Sequence, residues 1–186
     1  MKSKFRILAV GAASVLAASI TAVPAQSAAG DTYGFQAFAG GTKITAVGTT
    51  VTSDLTAESS IAGQSPASDD NKVASVSVFN LAFVGAVQTS TTAVPVGDGF
   101  AVTSTARTAN VNLLNGLIKV KAIETVATAT SDGTSTPTAG VHTRFVDLNI
   151  AGKTYPIDLP DNTGITIPGI ASVRLNTEIS GVKDDS

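Results

Sequence analysis

From residue 33 onward the dominant pattern is apolar and polar side chains alternating with a period of two, the repeat of a half-buried β-strand and not of an amphipathic helix. Tyr33, Phe35 and Ala37 fall on one face, and Gly40-Gly41 then predicts a turn into Lys43–Val47, a hairpin. Val51 and Leu55 continue a threonine-rich strand. Ser59 to Lys72, with Gln64-Ser65-Pro66 and Asp69-Asp70-Asn71, has the composition of a long loop. Ala74, Val76 and Val78 share a face before the phase shifts to Phe79, Leu81 and Phe83, as a bulge or a strand crossing requires. Val94 to Gly99 predicts a turn. Ala101–Leu114 and Leu117–Thr130 read as the two arms of a hairpin around Asn115-Gly116, a pair in which both residues tolerate positive φ. After a Thr, Ser, Gly and Pro loop over Ser131–Gly140, Phe145–Ile150 returns through Ala151-Gly152 to Lys153–Ile157. A last hairpin turns at Pro168-Gly169, with arms Thr163–Ile167 and Ala171–Asn176.

The first thirty residues follow another pattern. Lys2, Lys4 and Arg6 precede an apolar run from Ile7 to Ala22, and Pro24-Ala25-Gln26-Ser27-Ala28 supplies the small residues of a cleavage site. The expectation is a secretory signal peptide over 1–27, helical, followed by one all-β domain over 28–180 and a polar tail over 181–186. The apolar run is shorter than the ~20 residues of a spanning helix. The chain has 186 residues, 14% charged, with a formal net charge of −2, and cleavage would remove three of its 12 basic side chains. The mature protein is therefore mildly acidic, which argues against nucleic acid as a partner. No second apolar stretch near Ser186 would hold it in a membrane.

Eight to ten short strands punctuated by turns predict an antiparallel β-sandwich. Val78–Ala82 before Gly85 and Asn110–Leu114 before Gly116 echo one another, so a short β-solenoid-like arrangement is the alternative, although two copies fall short of a stacked repeat.

The candidate chemistry is sparse. With no Cys and a single His, thiolate metal sites and disulfides are excluded and a zinc site is untenable. A Ser-His-Asp triad would have to use His142, and no G-x-S-x-G motif surrounds a serine, so His142 reads as an exposed or edge-strand residue. The carboxylates around Asp69-Asp70-Asn71, Asp98, and Asp158 with Asp161-Asn162 are oxygen ligands of the kind that calcium needs. They lack the spacing of a dedicated loop and read as turn formers. Glu58, Glu124 and Glu178 are the residues from which a pair of glycosidase carboxylates would be drawn. Gly40-Gly41-Thr42-Lys43 lacks the spacing of a phosphate loop, and Leu159–Gly164 resembles a sortase signal with one residue too many. Tyr33, Phe35, Phe38, Phe79, Phe83 and Phe145 read as core and not as a sugar platform. No catalytic, cofactor-binding or metal-ligating residue is assigned.

Tyr33-Gly34 with Gly40-Gly41, the stretch Asn110–Ile123, and Phe145–Gly152 onward to Pro168–Asn176 together resemble the choice-of-anchor P family of exported Gram-positive surface proteins. The resemblance implies a β-rich exported protein of uncharacterised activity. The chain departs from anchored members by ending at Gly181–Ser186, which favours release or non-covalent association over wall attachment. The resulting expectation is a secreted, non-enzymatic domain at the cell surface, requiring no cofactor. It would associate with an envelope or extracellular component through the loops Ser59–Lys72 and Ser131–Gly140. The rivals are a carboxylate-dependent hydrolase of envelope polysaccharide and a surface protein that self-associates through exposed strand edges.

Overall fold

The computed structural model describes residues 10–13, 34–46, 51–52, 55–78, 82–132 and 138–176. These residues are all-β and arranged in several antiparallel sheets. In chain order the strands are β1 (Val10–Ala13), β2 (Phe35–Ala39), β3 (Lys43–Ala46), β4 (Val51–Thr52), β5 (Ser59–Gly63), β6 (Ala67–Val73), β7 (Val76–Val78) and β8 (Ala82–Val84). They continue as β9 (Val87–Val96), β10 (Gly99–Leu113), β11 (Ile118–Ser131), β12 (Thr138–Val146), β13 (Asn149–Ile150), β14 (Lys153–Thr154), β15 (Thr163–Ile167) and β16 (Ala171–Leu175).

The main sheet is a meander. The β10–β11 hairpin lies at its centre, closed by a turn in which Asn115 (φ 54°) and Gly116 (φ 86°) adopt the left-handed conformation that the Asn-Gly pair predicts. One flank of β10 carries β9 and β8 end to end, and one flank of β11 carries β12 and β13 end to end. Beyond these lie β6 and β7 on one side and β14 on the other.

A line of interruptions crosses this sheet between β6 and β7, between β8 and β9, within β10 and β11, and between β12 and β13, without changing its register. Thr108 lies opposite Val87, and pairing resumes with Asn112 opposite Phe83, the same number of residues onward in each strand. The same holds from Val73–Val87 to Val76–Val84, from Ala109–Ala122 to Val111–Val120, and from Ala122–Val146 to Lys119–Asn149. Continuing the register across each gap puts Ser75, Gly85, Asn110, Lys121 and Asp147 in one transverse row. Asn110 (φ 53°) and Asp147 (φ 51°) are left-handed, and a Cβ on Gly85 would lie 2.6 Å from the Ala109 carbonyl oxygen. Across the row the buried parity inverts in each long strand. In β10 it passes from Val102, Ser104, Ala106 and Thr108 to Val111 and Leu113. In β11 it passes from Ile118 and Val120 to Ile123, Thr125 and Ala127. Val84, Val87, Val111, Val120, Ile123, Phe145 and Leu148, drawn from both sides, nevertheless form one apolar cluster. The sheet therefore bends at the row and keeps a single interior; one residue per strand is spent on the corner.

On the near side of the bend β15 and β16 supply Ile165, Ile167, Val173 and Leu175 to that cluster. On the far side the β2–β5 ribbon covers β9 and β10 through Phe35, Ala37, Ile61, Ala93 and Val102. Phe35 meets Phe100 edge to face with ring centroids 4.8 Å apart. The interior here is lined by small and hydroxyl-bearing side chains, among them Ser59, Thr89, Thr91 and Ser104.

Three expectations are corrected. Gly40-Gly41 does not turn a hairpin: β2 pairs with β5, and β3 pairs with β1 and β4. These glycines are needed for close approach, because a Cβ on Gly40 would overlap Leu55 and one on Gly41 would overlap Val87 and the Thr56 carbonyl. Ser59–Lys72 is not a loop but β5 and β6, which belong to different sheets and are tied by the Ser60 N–H donating to Asp69 Oδ2 (2.8 Å) and Asn71 Nδ2 donating to the Glu58 carbonyl (3.0 Å). Phe83 does not face inward and is 46% exposed. The hairpins at Asn115-Gly116, Ala151-Gly152 and Pro168-Gly169 form as predicted. Val10–Ala13, inside the expected leader, is extended and paired with β3. The remainder of 1–27, the tail 181–186, and Phe79 and Leu81 fall outside the described residues.

Candidate functional site

The outward face of the main sheet carries two adjacent transverse rows of opposite character. In the first, the ladders place Lys72 opposite Gln88, Gln88 opposite Arg107, Arg107 opposite Glu124 and Glu124 opposite Arg144, with an isolated bridge from Arg144 to Asp158. The second, next to the bend, consists of small or apolar side chains: Ala109 lies opposite Ala122, Ala122 opposite Val146, and the Ala109 N–H donates to the Ala86 carbonyl at 2.9 Å. Long side chains beside alanines leave a trough, because residues two apart on one face stand over the same surface while methyl groups cannot fill it. The result is a groove of about 400 Å³ with an alanine floor, bordered by the charged row and by Val146 and Ile157. That volume lies in the range of small-ligand sites.

The groove lies along a row of three cations and two acids, Lys72, Arg107 and Arg144 with Glu124 and Asp158, in a chain of net charge −2. Its lining holds Lys72, Arg107 and Arg144 against one acid, Glu124. Arg107 Nη2 is 2.9 Å from Glu124 Oε1. Arg144 Nε lies 3.9 Å from Asp158 Oδ1, which is also 3.4 Å from His142 Nε2. The Lys72 ammonium has no ion-pair partner among the described residues. Ion pairs this exposed hold side chains in place more than they stabilise the fold. Lys121 and Asp147, 3.7 Å apart, lie on the bend next to the alanine row.

The residues singled out in the sequence are dispersed over the structure. His142 lies on the edge strand β12, its side chain 63% exposed, and its described polar partner is Asp158 and no serine or threonine hydroxyl. Glu124 and Asp158 share the outward row with Arg144 between them, whereas Glu58 precedes β5 and Glu178 lies outside the described residues. The Asp69 carboxylate accepts from Ser60, and Asp161 accepts from the Asn176 amide. Among the described residues no group of three or more His, Asp or Glu is placed to hold a metal ion. Leu159–Gly164 forms a turn with Asn162 at φ 57°. Phe35 and Phe145 are buried, and Tyr33 and Phe79 lie outside the described residues. Residues 133–137 of the loop Ser131–Gly140 also lie outside them, and its flanks belong to β11 and β12.

Arg107 and Arg144 carry the groove and were not singled out by the sequence reading. Their signal is latent in it: each is a lone charge at an outward position of a strand, and only the register of three successive strands brings them together. No family model matches the chain, and no curated protein or solved structure matches it.

Proposed function

We propose that this chain is an exported, non-enzymatic β-sandwich domain that associates with the cell envelope or another extracellular component by binding an anionic polymer across the outward groove. The carrying observation is the transverse row Lys72–Gln88–Arg107–Glu124–Arg144 beside an alanine floor. Three cations each two strands, or about 10 Å, from the next suit a chain bearing phosphate or carboxylate groups at intervals, and the shallow floor accepts its backbone. The β2–β5 ribbon lying over β9 and β10 supports the two-layer architecture. The amino-terminal leader pattern and the resemblance to the choice-of-anchor P family support export.

The test is co-sedimentation of the mature chain with purified envelope material before and after extraction of its polyanions. Binding is expected to require the polyanion and to weaken with salt. Replacing Lys72, Arg107 and Arg144 together by Ala is expected to reduce affinity at least about tenfold with an unchanged urea midpoint, since exposed charges contribute little to stability. Retained binding by that variant would refute the assignment. One observation favours the hydrolase as a second reading, namely that Glu124 and Asp158 share the outward row. Release of soluble fragments from the same material, abolished by Glu124→Gln, would establish it instead.

A further inference from the structure

The charges of the outward row follow an order. Taken strand by strand from β6, the row reads Lys72, Gln88, Arg107, Glu124, Arg144 and, through the isolated bridge, Asp158. Neighbouring strands lie about 5 Å apart, so a cation recurs at every second strand, and each position between or beyond the cations is neutral or acidic. Lys72 has no ion-pair partner among the described residues. Arg107, its side chain 61% exposed, meets Glu124 through Nη2, and a guanidinium has further N–H donors for an incoming carboxylate. Arg144 Nε stands 3.9 Å from Asp158 Oδ1, too far for a hydrogen bond, and its side chain is half exposed.

This order constrains a polyanion bound along the groove. A polymer charged on every unit, with anions about 5 Å apart, that sets one anion on Arg107 and another on Arg144 must set a third against Glu124, and like charges so close repel. A polymer charged on every second unit meets the three cations and sets uncharged units opposite Gln88 and Glu124, whose side-chain oxygens accept hydrogen bonds from hydroxyl groups. Its backbone lies along the methyl groups of Ala109 and Ala122, a surface suited to the C–H face of a sugar ring. We infer that the groove takes a linear acidic polysaccharide with one carboxylate per disaccharide, a repeat that matches two strands of the sheet, and that Glu124 turns away polyanions of denser charge. Discrimination of this kind needs a repulsive element, and Glu124 supplies it. The inference rests on the groove being a polyanion site and adds the class of polyanion. Lys72 and Arg144 are four strand spacings apart, about 20 Å, so the three carboxylates of one hexasaccharide fill the row.

The test is isothermal titration of the protein, at about 0.15 M salt, with a hyaluronan hexasaccharide, which carries three carboxylates, and with galacturonate oligomers of three and of six residues, which match it in charge and in length respectively. The hyaluronan hexasaccharide is expected to bind at least about tenfold more tightly than either galacturonate, and about tenfold more tightly than a hyaluronan tetrasaccharide, which reaches only two cations. Glu124→Gln keeps an oxygen for Arg107 and removes the repulsion, so it should bring the galacturonate hexamer to within about threefold of hyaluronan. Gln88→Lys, at an exposed position between Lys72 and Arg107, should shift the preference toward the galacturonate hexamer in the same sense and serves if the Glu124 variant does not fold. A parent protein that binds the galacturonate hexamer, or inorganic polyphosphate of the same length, as tightly as hyaluronan would overturn the inference while leaving the groove a polyanion site. Unchanged selectivity in the folded variants would do the same. Binding of none of these polymers would overturn the inference together with the reading on which it rests.

Discussion

Thr89 is fully buried between β9 and the β2–β5 ribbon, and its hydroxyl has no protein partner among the described residues; the hydroxyls of Ser59 and Ser104 share that condition. Each forfeits hydration without a compensating bond, a loss in the range of about 1 to 3 kcal/mol. Thr89→Val keeps the shape and removes the polar atom. It is expected to raise the unfolding free energy by about 1 kcal/mol in urea titration. A core of threonine, serine and alanine is visible in the sequence as composition, but which hydroxyls are buried is not, because alternation assigns a residue to a face without saying which face is covered. The groove residues were hidden for a related reason. Arg107 and Arg144 are 37 positions apart in the sequence, and they become neighbours of Glu124 only through two ladders.

At the scale of elements, the hairpins whose turns demand positive φ could be read directly. Asn115-Gly116 and Ala151-Gly152 both adopt it, and Pro168-Gly169 does so at Gly169. Gly40-Gly41 misled because glycine serves close approach as readily as turning, and the two uses look alike without the neighbours Leu55 and Val87. β6 escaped notice for the opposite reason: Asp69-Asp70-Asn71-Lys72 is exposed on both faces, so no alternation exists to detect, and the strand is held by its ladder to β9. The bend illustrates both limits. The sequence shows a phase change near Val78, while the structure puts it at Gly85, where β8 passes into β9. Gly85→Ala would drive a Cβ to 2.6 Å from the Ala109 carbonyl oxygen. Because the obstacle is backbone in the neighbouring strand, the expected loss is about 2 to 4 kcal/mol, measurable as a lowered urea midpoint.

For the whole molecule, the main sheet joins strands that are neighbours in sequence, and its unbroken register ties the two sides of the bend into one interior. Fold class was legible because a period of two pervades the chain. The joining of layers was not, since it depends on β2 reaching past β3 and β4 to pair with β5. This meander has a kinetic consequence. Its ladders close short loops, so contact order within the sheet is low for an all-β protein, and assembly can start at the β10–β11 hairpin and spread outward strand by strand. In stopped-flow refolding, Gly116→Val should slow the folding limb, whereas Ile167→Val in the late-docking β15–β16 hairpin should mainly accelerate unfolding. An inverted pattern would place the nucleus elsewhere. A chain that zips from its middle keeps its unfinished margins, β6 and β12, exposed longest, so the order of folding also sets how long each edge stays open to strangers.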